Sequence, residues 1–570
     1  MGKYDDHEME TRMSAEIPML TIEVKGYGNM SVAKGTTVGE LAEQLQPQGD
    51  YPWMAAIIHN TIRDFQRRLE HDSTLELIDI NHPEGNRIYQ RTVTFILIKA
   101  CRDLFPSRRL MVRHSISNGL FCEFVDGECS AEEVDQIKCH MSNICEQDLP
   151  LQRFLISRRA GSAIFAAQGQ YEKLQVLKTR GRRNVHVYEL AGFYEYFYGH
   201  MLDRTGRIKE FNLLPYMKGL ILQTPMVENR GKIKPYELRP QLAEIFKEEK
   251  AWARMMEVPT LEAVNKIIEQ GRLPELVRIN EALQEKKIAY IADQICGHPE
   301  RRIVLISGPS SSGKSTFAER LMIQLRVNGK KPVSISLDNY FIDKVLTPRD
   351  EEGNYDFENI EALKLDLINE HLQMLMAGEE IDMPIYNFIT GTSSGGPAVK
   401  LRIAAGEPLV IEGIHALNDK LTSAIPAEQK YKIHISALTQ VAVDYSNRIP
   451  TTDARLLRRI IRDHRTRGYP AQDTIKMWPN VRRGEEKNIF PYQENADIMF
   501  NSALTYELAV IRPIAEPLLN EITASHPEYI EARRLLKLLS YFEAEESSSI
   551  PANSILREFI GGSCFHEEVV

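Results

Sequence analysis

The sequence has little cysteine: seven residues among 570, with no C-x-x-C pair. This scarcity favours reduced thiols over a disulfide framework. The cysteines that cluster follow no common zinc spacing, so we predict no metal site among Cys122, Cys129, Cys139, His140 and Cys145. No run of ~18 uninterrupted apolar residues occurs, and the polar, acidic start lacks the layout of a secretory signal. We therefore expect a cytoplasmic protein with no membrane association.

An excess of positive charge is also lacking, because the formal net charge is −9. This excludes a protein whose main role is to coat nucleic acid, although it leaves room for a local basic patch. One basic run, residues 178–183, is interpreted as a solvated turn. The chain is 43% hydrophobic and 26% charged, as is ordinary for globular protein, and its length predicts several domains.

The spacing of apolar residues divides the chain into five segments. Residues 18–82 read as a small β-rich unit, residues 86–225 as a second unit that opens with an amphipathic helix, and residues 239–298 as a helical linker. Strands and helices alternate over 299–520, which predicts a doubly wound, mostly parallel sheet, and 521–570 form a helical tail. The predicted fold class is multidomain α/β and α+β. Strands are predicted over 20–24, 75–79, 333–337, 409–411, 431–435 and 498–500, and helices over 38–45 and through Phe95, Ile98 and Leu104.

The pattern G-x-x-x-x-G-K-[ST] occurs at residues 308–316, between a short apolar strand and a helical repeat. Its glycines let successive N–H groups converge, and the following helix adds the positive end of its dipole, so a polyphosphate is expected there. Lys314 would reach the β- and γ-phosphates, and the Ser315 hydroxyl would ligate Mg²⁺. The predicted nucleotide-binding residues of this loop are Gly308, Ser310, Ser311, Ser312, Gly313, Lys314, Ser315 and Thr316.

Two carboxylates stand where predicted strands of the sheet end. Asp338 follows one strand and Glu412 another, and ligands of parallel sheets lie beyond these ends. Asp338 is predicted to accept a proton from an acceptor hydroxyl. Glu412 is predicted to hold Mg²⁺ directly or through water.

An arginine-rich run, residues 453–468, is predicted to be helical. Arg455, Arg458, Arg459 and Arg462 recur at spacings of three and four residues, so they lie on neighbouring faces of one helix. Fixed positive charge around a moving phosphoryl group favours its transfer, and we interpret the run as a lid over the nucleotide. An exposed helix paired by carboxylates and an RNA-contacting helix are the alternatives.

Together these motifs resemble the uridine kinase and phosphoribulokinase family of P-loop kinases. The resemblance covers about 301–517 and is carried by residues 308–316, 338–341, 355–358, 384–388, 412–414, 467–468 and 496–498. It implies that Asp338 is the base that activates a 5′-hydroxyl. It also implies that Tyr340, Glu358 and Tyr386 contact the substrate. Arg459, Arg462 and Arg467 would clamp the phosphates.

One departure concerns the base of the substrate. Where uridine–cytidine kinases place a base-reading histidine, this chain has Gly391, within residues 389–395. A pocket without that hydrogen-bonding group gives no reason to expect selection of a pyrimidine base. The resemblance therefore implies phosphoryl transfer without implying uracil.

The front half resembles two modules of another family. Residues 18–82 resemble the TGS domain, a β-grasp module, and 86–225 resemble the second additional domain of threonyl-tRNA synthetases, through residues 103–106, 114–121, 146–150 and 191–194. In the synthetases that domain carries a metal site. The corresponding positions here are Arg91, Phe95, Phe197 and Met201, none of them a zinc ligand, although His200 lies one place away. We predict a binding or regulatory scaffold without a hydrolytic site.

The order of the segments resembles a bacterial-type family of long uridine kinase-like nucleoside kinases. The sequence thus predicts an ATP- and Mg²⁺-dependent kinase that acts on a hydroxyl of a nucleoside or related sugar. Two alternatives stay open. One is a kinase of another sugar or sugar phosphate, and the other is an RNA- or ribosome-associated nucleotide switch whose front half contacts RNA. A homo-oligomer is compatible with either.

Overall fold

The structure is a computed structural model, and it describes residues 18–565 except 48, 230, 351–352, 388–389, 394–398 and 440. Phe388, Ile389, Ser394 and Gly395 of the predicted motifs therefore lie outside the described residues, as does the acidic start. Within the described part, no helix is both long and apolar enough to cross a membrane.

The first unit is a mixed five-stranded sheet with one helix. Its strand order is β2-β1-β5-β3-β4; β1 and β5 run parallel, and the other pairs are antiparallel. In β1, Leu20, Ile22 and Val24 are buried while the residues between them are exposed, as the alternation predicts. The elements are β1 Met19–Val24, β2 Gly28–Ala33, α1 Val38–Glu43, β3 Ala55–Ile58, β4 Thr61–Arg63 and β5 Ser73–Ile78.

The second unit holds two antiparallel sheets, ordered β11-β12-β7-β6 and β10-β9-β8. The predicted amphipathic helix is present as α2, which begins with a proline in its first turn and ends at Leu104, before Pro106. The elements are α2 Pro83–Leu104, β6 Leu110–Ile116, β7 Gly119–Phe124, α3 Ala131–Glu146, β8 Gln152–Ser157, α4 Arg158–Ala167, α5 Glu172–Thr179, β9 Asn184–Leu190, β10 Phe193–Glu195, β11 Asn212–Tyr216 and β12 Gly219–Gln223.

The linker consists of three helices, as predicted: α6 Pro240–Met255, α7 Leu261–Glu269 and α8 Leu273–Cys296. The apolar stripe of α8 through Ile288, Ile291 and Ile295 is buried. This stripe joins the linker to the core of the following unit.

The phosphate-loop unit, residues 299–520, is built on a parallel five-stranded sheet ordered β14-β17-β13-β18-β19. The four predicted strands are confirmed, although Glu412 is the last residue of its strand and does not follow it. The elements are β13 Ile303–Ser307, α9 Lys314–Val327, β14 Val333–Ser336, α10 Leu365–Ala377, β15 Ile381–Met383, β16 Val399–Leu401, β17 Leu409–Glu412, β18 Lys430–Ser436, α11 Thr451–Arg467, α12 Ala471–Asn488, β19 Ile498–Asn501 and α13 Glu507–Asn520.

The tail, with helices α14 Tyr529–Leu539 and α15 Arg557–Ile560, packs back on the phosphate-loop unit. One hydrophobic cluster runs from Phe165 and Tyr196 of the second unit through α8 to Phe559 of the tail. Lys173 of the second unit is fully buried and pairs with Glu195 and, at 3.3 Å, with Asp444 of the phosphate-loop unit. The front half and the tail are thus fastened to the sheet that carries the loop.

Candidate active site

The loop between β13 and α9 has the close-packed geometry that its two glycines predict. A Cβ at Gly308 would lie 2.1 Å from the carbonyl oxygen of Ile435, so no larger residue fits there. Gly313 has φ +85° at the first turn of α9, a conformation that favours glycine. The side chain of Lys314 lies over the loop, with its Nζ donating to the carbonyl of Pro309 at 3.3 Å.

Ser310 is held by the lid helix α11 and by the neighbouring helix α12. Its backbone N–H donates to Glu485 at 3.0 Å, and its carbonyl accepts from Arg455 Nε at 2.9 Å. Arg455 and Glu485 are both buried and paired with each other. Arg459 Nη1 donates to the Ser310 hydroxyl at 2.8 Å. The arginine-rich helix therefore touches the phosphate loop, as a lid requires.

Asp463 orders the remaining lid arginines. Its buried carboxylate pairs with Arg459 at 3.2 Å, Arg462 at 2.8 Å and Arg467 at 3.4 Å. Burial alone would raise the pKa of Asp463, but the three arginines outweigh it and lower the pKa. Asp463 is not among the predicted site residues, although its spacing of four from both Arg459 and Arg467 is a signal that could have identified it.

Two carboxyls of the site titrate near neutrality. Glu412 accepts from the Ser336 hydroxyl at 2.7 Å, and burial, followed by the charge of Asp338, raises its pKa to about 7. Burial and then the charge of Glu485 raise the pKa of Glu358 to about 7 as well. The positive charge of Lys314 acts against both shifts. Asp338 itself is exposed.

The residues predicted to ligate Mg²⁺ fit a hard cation. Burial raises the pKa of Glu412 most, and the negative charges of Asp338 and Glu558 add to the rise against Lys314 and the Ser336 hydroxyl. A divalent cation with oxygen ligands relieves such an excess. Ser315, half-buried in the first turn of α9, supplies a hydroxyl next to Lys314. Glu412 and Ser315 are the residues that would hold the metal.

The two tyrosines among the predicted substrate contacts are less exposed than the carboxyls. The Tyr340 side chain is buried, and its hydroxyl is 2.9 Å from Nδ1 of His371 on α10. The Tyr386 ring is also buried and lies 5.6 Å from that of Phe341. Burial raises the pKa of both tyrosines. Their contact with a sugar stays a prediction, as do the roles assigned to the other site residues.

Gly391 occupies a turn that disfavours a histidine. Its φ is +69°, and a Cβ there would lie 2.9 Å from the Cβ of Lys344. Its N–H donates to Asn387 and its carbonyl accepts from Lys344, both at 2.8 Å. The glycine at this position, where uridine–cytidine kinases are expected to have a histidine, thus suits the backbone conformation of the turn.

The four positions that align with the synthetase metal ligands lie close together in the second unit. Phe95 and Phe197 pack edge to face at 5.8 Å, and Met201 belongs to the same buried cluster. Arg91 donates to the carbonyl of His200 at 2.7 Å, and the ring of His200 instead faces Asp64 at 3.4 Å. Packing and hydrogen bonds occupy these positions.

Comparisons with known proteins divide at the linker. Residues 303–509 match the model of the phosphoribulokinase / uridine kinase family. This supports a P-loop kinase in that segment. The N-terminal region is similar to threonine–tRNA ligases: that of Symbiobacterium thermophilum is 30% identical over 183 residues, covering 32% of this chain and 28% of the ligase. That of Acetivibrio thermocellus is 25% identical over 198 residues, covering 34% and 31%.

The chain therefore spans less than a third of the length of these curated relatives. Among solved structures, one described as a possible uridine kinase from Bacillus stearothermophilus is 17% identical and covers 38% of this chain and 98% of its own, with a TM-score of 0.27.

Proposed function

We propose that this chain is a kinase that transfers the γ-phosphoryl group of ATP to the 5′-hydroxyl of a nucleoside. The observation that carries the proposal is the arrangement around Lys314. Arg459 of the lid helix donates to Ser310 of the loop, and the charges of Lys314 and Asp338 both act on the carboxyls of Glu358 and Glu412. A nucleotide switch needs the loop and a cation, whereas a transferase also needs a base at the acceptor, and we assign that role to Asp338, which is exposed just after β14.

In the proposed reaction Asp338 accepts the proton of the acceptor hydroxyl as its oxygen attacks the γ-phosphorus. The bond from that phosphorus to the β,γ-bridging oxygen breaks, and ADP leaves. Lys314, Arg459 and Arg462 supply fixed positive charge to the phosphoryl oxygens. Bound Mg²⁺ would supply further charge compensation between the β- and γ-phosphates. Glu358, whose pKa burial raises to about 7, is proposed to bond a sugar hydroxyl.

The match to the phosphoribulokinase / uridine kinase family supports phosphoryl transfer, and the nucleoside is the proposed step beyond it. The turn at Gly391 is the reason that we assign no base. Purified protein, Mg²⁺-ATP and a panel of ribonucleosides and phosphorylated pentoses would identify the acceptor through ADP release. Strong stimulation by one nucleoside supports the proposal. Stimulation by pentose phosphates, or slow hydrolysis stimulated only by RNA, would favour the alternative functions.

Asp338→Asn tests the assignment of the base. We expect transfer to fall about 10²- to 10⁴-fold, the usual contribution of a general base, while ATP affinity stays nearly unchanged. Asp366→Asn removes an equally exposed carboxylate at the start of α10 and serves as the matched control. Equal turnover in Asp338→Asn and the control would remove Asp338 from the mechanism.

A further inference from the structure

The C-terminal tail reaches the phosphate loop itself. Ile555, Leu556 and Phe559 are fully buried. Ile555 lies against the loop so closely that a Cβ at Gly313 would be 2.4 Å from its Cγ2. The Phe559 ring lies 4.9 Å from the guanidinium carbon of Arg458 on α11. The tail thus fills the space between the start of α9 and the lid helix.

Glu558 of this tail takes two donors of the loop. Its Oε2 accepts from the Thr316 hydroxyl at 2.8 Å and from the Thr316 N–H at 3.3 Å. Thr316 follows Lys314 and Ser315 in the first turn of α9, where N–H groups and hydroxyls point towards bound phosphate. A carboxylate oxygen has the same sign of charge and the same acceptor role as a phosphate oxygen. Glu558 therefore occupies a place that suits a nucleotide phosphate.

A phosphate and the Glu558 carboxylate cannot share these donors. Two anions at hydrogen-bond distance from one hydroxyl would also repel each other across a poorly solvated site. The negative charge of Glu558 already reaches Glu412, since it contributes to the raised pKa of that carboxyl. Adding a polyphosphate without moving Glu558 would enlarge this repulsion.

The backbone of the tail is anchored more firmly than the Glu558 side chain. Arg465 of α11 donates to the carbonyl of Glu558 at 2.9 Å, and Arg557 donates to the carbonyls of Ser547 and Ile550 at 2.8 and 2.7 Å. Withdrawing the whole tail would break these bonds and expose three buried apolar side chains. Rotation of the Glu558 side chain breaks only its two bonds to Thr316, so it is the less costly motion.

We propose that Glu558 is an internal competitor of the nucleotide. Its carboxylate accepts from the Thr316 donors when no nucleotide is bound and rotates away when a phosphate binds. The rest of the tail stays in place as a wall of the site. The proposal rests on the proposed kinase function and adds a residue outside the segment that matches the kinase family. The tail would thereby lower nucleotide affinity and protect the loop when it is empty.

The test is the affinity of the full-length protein for ADP, measured by calorimetry. Glu558→Gln keeps the size of the side chain and removes its charge. Glu558→Ala removes the whole carboxylate that accepts from the two Thr316 donors. We expect both variants to bind ADP roughly tenfold more tightly, the value of one charge-assisted hydrogen bond. Glu546→Gln, an exposed glutamate earlier in the tail, is the matched control and should bind as the wild type does. Unchanged or weaker binding in both Glu558 variants would overturn the proposal.

Adenosine and inorganic tripolyphosphate locate the effect. The gain should appear with tripolyphosphate and ADP and be absent with adenosine, since only a phosphate competes for Thr316. An equal gain with adenosine would also overturn the proposal. If neither the wild type nor any variant binds a nucleotide or tripolyphosphate, the kinase function fails and the competitor fails with it. Nucleotide binding with equal affinity in all variants leaves the kinase standing and removes only Glu558.

Discussion

The phosphate loop and the synthetase-like pocket of the second unit differ in what their side chains do. Around the loop, several charged groups act on one another, and two carboxyls have pKa values raised to about 7. In the second unit, the aligned positions hold Phe95, Phe197 and Met201 in a buried cluster and Arg91 on a backbone carbonyl. The site at the loop keeps carboxyls whose charged forms are unfavourable and which the packing of the fold does not require. In the second unit, by contrast, the positions that hold metal ligands in the synthetases are filled by packed side chains. We infer that chemistry resides at the loop.

The sharpest test of this comparison is Lys314→Ala. It removes the cation that is to reach the transferred phosphoryl group, and we expect kcat/KM for the acceptor found in the panel to fall about 10³-fold or more. Lys331→Ala, an exposed lysine after α9, is the control. Steady-state kinetics measure both. Near-normal transfer by Lys314→Ala would show that the loop does not carry the reaction.

A smaller loss is expected from Asp463→Asn. The variant leaves every lid arginine in place but removes the buried carboxylate that pairs with three of them. Without that carboxylate the three arginine side chains would gain conformational freedom and repel one another. We therefore expect kcat to fall about 10- to 100-fold. Asp473→Asn, an exposed aspartate in the first turn of α12, is the control. If kcat is unchanged while the melting temperature drops, Asp463 supports the fold alone.

The sheet and the loop were predictable because their signals are local. The strands β13 and β17 are largely apolar, and β13 leads into a motif whose glycines have steric reasons to be there. The observed strands begin and end within two residues of the predicted ones. The same holds for α11, whose arginines recur at helical spacing.

The partners of the loop were not predictable, because they come from distant parts of the chain. Glu485 contacts Ser310 across 175 residues, and Glu558 contacts Thr316 across 242. No spacing rule joins such positions; only the packing of α12 and the tail on the sheet does. For Tyr340, the local motif predicts a sugar contact, but it does not predict that the hydroxyl lies against His371.

The pH dependence of nucleotide binding tests the charged site at the loop, and the expected effect is smaller than those above. Glu412 has a pKa of about 7, so it becomes protonated as the pH falls below that value, and a protonated carboxyl is a poor Mg²⁺ ligand. We expect the affinity for Mg²⁺-ADP to be full above about pH 8 and to fall at most tenfold per pH unit below about 7. Glu412→Gln should bind more weakly and lose this dependence. A flat profile in the wild type would separate Glu412 from the metal, and Mg²⁺-free ADP is the control.

The smallest effect on catalysis is expected at Arg91, the first of the four aligned positions in the second unit. Arg91→Met removes the donor to the His200 carbonyl but keeps an apolar stem, and an unpaired buried carbonyl costs about 1–3 kcal/mol of unfolding free energy. Phosphoryl transfer should change by no more than about twofold, because nothing at Arg91 faces the loop. Denaturant unfolding and steady-state kinetics check the two halves of this expectation. Metal analysis of the wild type is the decisive companion, since one tightly bound zinc in the second unit would mean that other side chains have replaced the aligned ligands and that the second unit keeps a chemistry of its own.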